Sequence, residues 1–313
     1  MLDNPVLYGT ACHVRKLGRA LMLLAFIVLP DPICHPQTKD QPDRGDMKVK
    51  YAGARSSAYG IRPFPSPEGW VSGLKTMAGY FPGATPVGIW IVGRLNGRTT
   101  GMTLEFPQPD DGANYGPLIA FSEADKHEPF LNLFDSSGIK VFLQIEPGFA
   151  EVDPAMDLVL NRYKRHPSVI GFGVDVEWFK NAKTDAPNAV VTDELAKAWE
   201  ARVKSHDSKY RLFVKHFRKE DLPPTYRGDV VFVDDSQQFS NVETFLAEYR
   251  DFADFFYPNM VMFQIGYRAD RPWWQSVGTP IPQALGRKLA GQTRQDCGIV
   301  WVDFTLRDVL SVD

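Results

Sequence analysis

Beyond residue 46, short apolar runs rich in β-branched and aromatic side chains alternate with longer segments whose apolar residues recur at helical spacing. This alternation is typical of repeated βα units around a parallel sheet. Eight such runs predict a closed (β/α)₈ barrel, the TIM-barrel class, over residues 47–313. The runs are KVKYAGA (48–54), VGIWIVG (87–93), IKVFLQIE (139–146), SVIGFGVDVE (168–177), YRLFVKHF (210–217), DVVFVD (229–234), NMVMFQIGY (259–267) and GIVWVDF (298–304).

The segments between these runs predict the surrounding helices. Thr192 followed by Glu194 provides the N-cap and first-turn acid that begin a helix. The link KEDLPPTYRG between the fifth and sixth runs is too rich in proline for a helix, so we expect an irregular barrel. The stretch 94–125 predicts a long loop insertion after strand 2, where loops shape the rim of the active site. The predicted helices include 67–81, 154–166, 192–206, 241–256 and 282–293.

The first 34 residues have the pattern of a segment that directs export. Arg15, Lys16 and Arg19 precede an apolar run from Ala20 to Leu29. This run is too short to span a hydrocarbon core of about 30 Å, so 1–34 is interpreted as a signal peptide or membrane-proximal segment. The polar stretch 35–46 is a predicted linker. We therefore expect a secreted or exported protein, with membrane attachment through the N-terminal segment as the alternative.

Composition narrows the classes of partner. A formal net charge of -3 gives no basis for nucleic-acid binding. Seven Trp, eleven Tyr and twenty-one Phe are enough for a large core with rings left over for a binding surface. The three cysteines and six histidines have no metal-ligand or disulfide spacing, so we expect neither a metal nor another cofactor. Nothing in the sequence indicates the oligomeric state.

The fourth run, GFGVDVEWF at 171–179, ends in two carboxylates although the rest of it is apolar or glycine. Side chains of a strand alternate between its faces, so Asp175 and Glu177 share a face with Gly171 and Gly173. The other face of a barrel strand lies under helices and must be apolar, so the acidic face points inward. Both carboxyl groups are therefore predicted at the carboxyl-terminal mouth of the barrel, where catalytic groups of this fold sit.

Asp175 and Glu177 are neighbours on one face of the strand, and the repulsion between two neighbouring carboxylates raises the pKa of one of them. A proton is then available for general acid catalysis near neutral pH. Cleavage of a glycosidic bond needs such an acid. The same alternation brings further side chains to the mouth. They are Glu146 after the third strand, Asp234 after the sixth, Gln264 and Tyr267 at the seventh, and Trp301 with Asp303 at the eighth.

Three further residues have ambiguous positions. Adjacent Trp273 and Trp274 in the loop RADRPWWQS suit stacking on a sugar ring at the rim, although they also suit a hydrophobic lid. In the segment VVFVDDS, either Asp234 or Asp235 can face inward, and we interpret Asp235 as structural.

The segment GVDVEW resembles the strand-four signature DxxDxDxE of glycoside hydrolase family 18, the chitinases and endo-β-N-acetylglucosaminidases. Asp175 and Glu177 fall on its last Asp and its Glu. The resemblance implies that Glu177 is the general acid/base and that Asp175 orients the substrate acetamido group, whose carbonyl oxygen is the internal nucleophile. It also implies that Asp234, in VFVD, lies beside the acetamido group and that Trp301 forms the floor of the sugar site.

The sequence departs from this signature at two positions. Gly173 and Ile170 stand where the family has its other two acids, which removes its proton relay. The likeness covers about a fifth of the chain.

The sequence therefore predicts an exported glycosidase that cleaves a polysaccharide or glycan by general acid catalysis from the DxE motif. One alternative is a two-carboxylate glycosidase that pairs Glu146 with Glu177. Another is a non-catalytic barrel that binds a glycan through the same acids. A third is a barrel enzyme acting on another class of substrate, for which Lys215 is the one candidate Schiff-base lysine, although it could equally face outward.

Overall fold

The computed structural model describes residues 49–183 and 187–313. The predicted signal peptide or membrane-proximal segment 1–34 and the predicted linker 35–46 lie outside these residues. Within the described ranges, every helix is too short or too polar to cross a bilayer.

Eight parallel strands close into a barrel, which confirms the predicted (β/α)₈ fold. The order around the ring is β1, β2, β5, β6, β7, β8, β9 and β10, and β10 pairs with β1 to close it. These strands span Val49–Ser56 (β1), Thr85–Leu95 (β2), Lys140–Ile145 (β5), Val169–Asp175 (β6), Arg211–Lys215 (β7), Val231–Asp234 (β8), Val261–Ile265 (β9) and Cys297–Trp301 (β10).

The predicted insertion after the second barrel strand contains two short strands of its own. Strand β3 (Met102–Leu104) pairs antiparallel with β2, and β4 (Ile119–Phe121) pairs parallel with β3. The insertion therefore extends the sheet beyond the ring on one side.

Helices cover the outside of the barrel. In the described residues they are α1 (Pro67–Gly79), α2 (Glu128–Ser137), α3 (Val152–Tyr163), α4 (Asp193–His206), α5 (Val242–Phe256), α6 (Arg271–Trp274) and α7 (Ile281–Ala290). The predicted cap of α4 is present, because Thr192 Oγ1 accepts a hydrogen bond from the Leu195 amide at 3.2 Å. The proline-rich link from β7 to β8 forms only a 3₁₀ turn, Lys219–Asp221, so the barrel is irregular where expected.

Two apolar layers hold the ring in shape. The larger one lies between the strands and the helices, and the smaller one fills the inside of the barrel. The inner layer contains Val87, Ile89, Phe142, Phe213, Val231, Val233, Met260, Met262 and Val300. Since side chains alternate along each strand, these residues show which face of each strand points inward.

The inner layer explains the glycines of β6. A Cβ built at Gly173 would lie 1.9 Å from Cζ of Phe213, and one at Gly171 would lie 2.7 Å from the ring of Phe142. Both glycines therefore face inward, as predicted, and the rings of neighbouring strands occupy the space beside them. Asp175, two residues beyond Gly173, consequently faces inward at the end of the strand.

We predict that Gly173→Ala lowers the free energy of unfolding by roughly 1–3 kcal/mol, because the new methyl group overlaps the ring of Phe213. Adding Phe213→Leu should recover part of this loss. Gly79→Ala is the control, since a Cβ there meets nothing within 4 Å. Urea unfolding of the variants measures the effect, and equal stability of Gly173→Ala and Gly79→Ala would contradict it.

Candidate active site

Charged side chains gather at the carboxyl-terminal mouth of the barrel. They come from the ends of six strands or from the residues just after them, and all but one are almost completely buried. The carboxyl groups are those of Glu146, Asp175, Glu177, Asp235 and Asp303, and the cations are Arg55 and Lys215. Carboxyl groups outnumber cations, so not every acid in this mouth has its own counter-ion.

Lys215 lies at the centre of the mouth. It follows the inward-facing Phe213 by two residues on β7, and its side chain is 4% exposed. Its Nζ lies 3.0 Å from Asp175 Oδ2 and also donates to Asp235 Oδ2. Burial lowers the pKa of Lys215, but the charges of Asp175 and Asp235 outweigh burial and raise it well above the ordinary value. The amine is therefore a buried ammonium ion rather than a free nucleophile.

One ammonium ion cannot neutralise two buried carboxylates. Burial raises the pKa of Asp175 well above its ordinary value, and the charges of Asp235, Glu177 and Glu146 add to the increase, whereas Lys215 opposes it. Asp175 Oδ2 also accepts a hydrogen bond from Gln144 Nε2 at 3.2 Å. Asp175 therefore takes up a proton at a higher pH than an exposed aspartate does.

Glu177 lies in a 3₁₀ turn, Val176–Trp178, directly after β6. Its side chain is half-buried, and its carboxyl group forms no hydrogen bond or ion pair within the described part of the chain. Burial raises the pKa of Glu177 to about 7, with further contributions from Asp235 and Glu146 that Lys215 and Arg55 oppose. Glu177 thus combines access to the mouth with a proton that is available near neutral pH.

Glu146 follows β5 and is held by two donors. Its Oε1 accepts from the hydroxyl of Tyr59, and its Oε2 accepts from the Leu95 amide at 3.0 Å. Arg55 Nη1 donates to the same tyrosine hydroxyl at 3.0 Å. Both oxygens therefore act as acceptors, which holds the carboxyl group in one orientation.

Asp303 supports the first strand of the ring. Its Oδ2 accepts from the Ser57 amide at 2.7 Å and from the Ser57 hydroxyl at 2.6 Å. Its Oδ1 lies 3.3 Å from Arg55 Nη2. Asp303 therefore reaches the mouth as predicted, but its contacts fix Arg55 and the loop after β1.

Gln264 and Tyr267 also lie in the mouth. Gln264 faces inward beyond Met262 on β9, and its Nε2 donates to the hydroxyl of Tyr267. That hydroxyl in turn donates to Asp235 Oδ2 at 3.4 Å. The two residues join the Lys215 group, in agreement with the predicted inward orientation of Gln264.

The predicted inward orientation of Trp301 is wrong. Val300 faces inward on β10, so Trp301 points to the helices, where it packs against Trp274 with ring centroids 5.4 Å apart. Trp274 is itself 1% exposed, and its Nε1 donates to the Tyr267 carbonyl. Trp273 is half-buried, and its Nε1 donates to the Phe239 carbonyl at 3.0 Å. Trp301 and Trp274 are therefore core residues, and the lid interpretation fits the pair at 273–274 better.

The prediction that Asp234 reaches the mouth and that Asp235 is structural is also wrong. Val233 faces inward, so the next residue, Asp234, points outward toward Tyr249 of α5. Asp235 then faces the mouth and binds Lys215. The chain continues to alternate past the end of the strand, which the sequence alone did not show.

Sequence reasoning missed Arg55, Tyr59 and Gln144 as parts of the site, and it named Lys215 only as a candidate Schiff-base lysine of uncertain orientation. The alternation of side chains could have found two of them. Gln144 lies two residues before Glu146 on the same strand face, and Arg55 lies two residues after Gly53 on the inward face of β1. Tyr59 lies in a loop, where no periodicity applies.

The structure shows why residue 173 is a glycine in this chain. The ring of Phe213 occupies the space beside Gly173, so an aspartate has no room there. The charge next to Asp175 comes instead from Lys215 on the neighbouring strand. In the described ranges, no group of three or more His, Cys, Asp or Glu side chains is arranged to hold a metal ion.

No protein-family model and no curated protein matches the chain. Among solved structures, it is similar to a glucosidase from Croceicoccus marinus, with 12% identity over 85% of this chain and 62% of that one and a TM-score of 0.48. An intracellular xylanase from Thermoanaerobacterium saccharolyticum has 8% identity over 82% and 87% of the two chains, with a TM-score of 0.40. A β-glucuronidase from Parabacteroides merdae has 14% identity over 59% and 26%, with a TM-score of 0.36. The chain spans about three fifths of the glucosidase's length.

We predict that Lys215→Met lowers the free energy of unfolding by about 3–5 kcal/mol at pH 7.5, because it leaves two buried carboxylates without their cation. The loss should shrink at pH 4.5. Asp175, whose pKa is raised in the folded state, takes up a proton as the pH falls and no longer needs a counter-ion.

Chemical unfolding at the two pH values measures both effects. Lys197→Met, at an exposed lysine of α4, is the matched control and should change little. A loss that is the same at both pH values would show that the lysine acts through packing instead of charge.

Proposed function

We propose that the protein is a glycoside hydrolase whose general acid is Glu177. The observation that carries the proposal is the state of this one carboxyl group. Glu177 is half-buried at the mouth, has no ion pair or hydrogen bond among the described residues, and has a pKa of about 7. A protonated carboxyl group open to substrate is what departure of a sugar leaving group requires.

The floor of the mouth suits a ligand that carries hydroxyl groups. Five buried polar side-chain atoms of the site have neither a hydrogen-bond partner nor an ion pair among the described residues, and four of them are oxygens that can accept a hydrogen bond. They are the oxygens Gln144 Oε1, Asp175 Oδ1, Asp235 Oδ1 and Gln264 Oε1 and the donor Arg55 Nε. Hydroxyl groups of a sugar supply such donors, whereas a carboxylate or phosphate brings only acceptors. This supports a neutral glycan as substrate.

Aromatic side chains follow several of the same strand ends. Tyr59, Phe149 and Phe217 come after β1, β5 and β7, and each is about two fifths exposed. Trp178, after β6, is half-buried. Aromatic faces at the rim of a polar site are suited to stacking on the apolar face of a sugar ring.

Glu146 is the second carboxylate that the proposal assigns. Tyr59 and Leu95 hold it in one orientation, whereas Asp175 is already bound by Lys215 and Gln144. In a two-carboxylate mechanism, Glu177 protonates the leaving oxygen while Glu146 attacks the sugar or activates water. Asp175 is then a positioning residue. In the substrate-assisted mechanism of family 18, Asp175 would instead hold the acetamido group.

We predict that Glu177→Gln lowers the rate of glycan hydrolysis by at least about 100-fold while the fold is retained. A panel of neutral polysaccharides and aryl glycosides, with reducing-sugar release as readout, provides the assay. Glu243→Gln, at an exposed position of α5, should keep full activity. Glycan binding without turnover in the unmodified protein would overturn the hydrolase proposal and indicate a carbohydrate-binding barrel.

The pH dependence follows from the same group. Glu177 must be protonated to act as an acid, so kcat should fall as the pH rises through about 7. In Glu177→Gln the residual rate should lose this descending limb. A limb that stays at the same pH in the variant would assign the acid to another residue.

The role of Glu146 has a separate test. Glu146→Ala should lose activity on aryl glycosides and recover part of it with added azide, which takes the place of the missing carboxylate. The anomeric configuration of the sugar first released by the unmodified protein, read by NMR, then distinguishes a nucleophile, which gives retention, from a base, which gives inversion. Full activity of Glu146→Ala on N-acetylated glycans would favour the substrate-assisted mechanism instead.

A further inference from the structure

A cavity of about 430 Å³ lies beside the barrel mouth, outside the group of charges described above. It lies between the end of β1, the middle of β2, the loop after β1 and the start of α2. The residues that line it include Ala58, Phe64, Trp90, Glu105, His127 and Phe130. None of these contributes to the proposed hydrolytic site.

The chain after β1 forms a wall between the cavity and the mouth. Arg55, Ser57 and Tyr59 contact Asp303 or Glu146 in the mouth. Ser56 and Ala58, which lie between them in sequence, line the cavity. Side chains of this short segment, which runs from the end of β1 into a turn, therefore contact two different sites.

The walls of the cavity are mainly aromatic. Phe64 packs against Trp90 and Phe130, with ring centroids 6.1 and 5.5 Å apart, and remains 38% exposed. Trp90 and Phe130 lie 5.2 Å apart. Aromatic rings attract one another through offset or edge-to-face contacts, so a planar ring in this cavity would extend an existing cluster.

The acids that line the cavity are already paired. Glu105 Oε1 accepts from Arg94 and Lys126 at 3.3 and 2.9 Å. Asp125 accepts from Arg162 and from Tyr163 at 2.6 and 2.9 Å. These carboxylates therefore do not call for a cationic ligand.

His127 is the exception, because this residue lines the cavity and one of its ring nitrogens has no hydrogen-bond partner among the described residues. The residue is 5% exposed, and its Nδ1 accepts a hydrogen bond from Trp90 Nε1 at 3.0 Å. Tryptophan can only donate, so the neutral imidazole carries its proton on Nε2. Burial lowers the pKa of His127 to about 4, so the ring is neutral at pH 7.

This Nε2–H has no hydrogen-bond partner among the described residues. The nearest carboxylate oxygen, Glu105 Oε2, lies 3.8 Å away, which is too far for a hydrogen bond. A buried donor without an acceptor is costly unless a ligand or water supplies one.

We propose that this cavity is a second binding site, which takes a small neutral aromatic molecule bearing one hydrogen-bond acceptor. The ring packs among Phe64, Trp90 and Phe130, and the acceptor oxygen receives the proton of His127 Nε2. Aryl ketones, esters and ethers have this chemistry. The site stands apart from the acids of the mouth, so its existence does not depend on the hydrolase proposal.

Acetophenone and ethylbenzene form a matched pair of probes, since they share the ring and chain length and only the former has an acceptor. Saturation-transfer NMR with the full chain measures the affinity of each. We expect saturable binding of acetophenone, weaker binding of ethylbenzene, and a shift of the His127 Nε2 resonance with acetophenone alone.

Two variants locate the probe. His127→Asn keeps an acceptor near Trp90 Nε1 but removes the Nε2 donor, so it should weaken acetophenone about 5- to 20-fold and leave ethylbenzene unchanged. Ala58→Phe adds a ring at an exposed wall position and should block both probes. Thermal unfolding of each variant verifies that it is folded.

Acetophenone binding in Glu177→Gln should equal that of the unmodified protein, which separates this site from the mouth. Loss of binding in that variant would place the probe among the catalytic acids and overturn the proposal. Absence of saturable binding, or binding that neither His127→Asn nor Ala58→Phe changes, would overturn it as well.

Discussion

The ammonium group of Lys215 is the interaction on which the mouth of the barrel depends. It lies between the carboxyl groups of Asp175 and Asp235, and all three side chains are almost completely buried. Removing charge from water is costly, so a buried acid persists only with a partner. Because one cation serves two acids, the group is not fully neutral when both are ionised. Burial and this imbalance together raise the pKa of Asp175 well above that of an exposed aspartate.

Glu177 differs from its neighbours because it is outside this network. It shares their electrostatic environment but none of their hydrogen bonds, so its pKa rises without its carboxyl group being immobilised. Glu146 is the reverse case, fixed by Tyr59 and the Leu95 amide. The mouth of the barrel thus presents two carboxyl groups that differ in their contacts. Glu177 has no hydrogen bond among the described residues, and Glu146 is held by two donors. Such a contrast is the usual physical basis for dividing acid and nucleophile or base roles between two similar side chains.

The chain after β1 connects this chemistry to the rest of the molecule. Ser57 and Tyr59 hold Asp303 and Glu146, while Ala58 faces the aromatic cavity. This short segment, the end of β1 and the turn that follows it, therefore contacts both sites. The cavity differs from the mouth in character: its acids are paired, its walls are aromatic, and its unpaired group is the donor of His127. The two sites consequently suit different ligands although they share a wall.

The sequence by itself determined the eight-stranded ring and the inward orientation of Asp175, because β6 has one apolar face and one face of glycines and acids. It did not determine the orientation of β10, since Val300 and Trp301 are both apolar and alternation alone cannot choose between them. The tertiary structure chose Val300 for the narrow interior and gave Trp301 the space beside Gly266 under the helices. Lys215 was ambiguous for a related reason: a long side chain with a charged end is compatible with either face until the acids of neighbouring strands are in place. The orientations of Trp301 and Lys215 are therefore decided by contacts between strands that are distant in sequence. The available volume decides the first, and the charges of neighbouring acids decide the second.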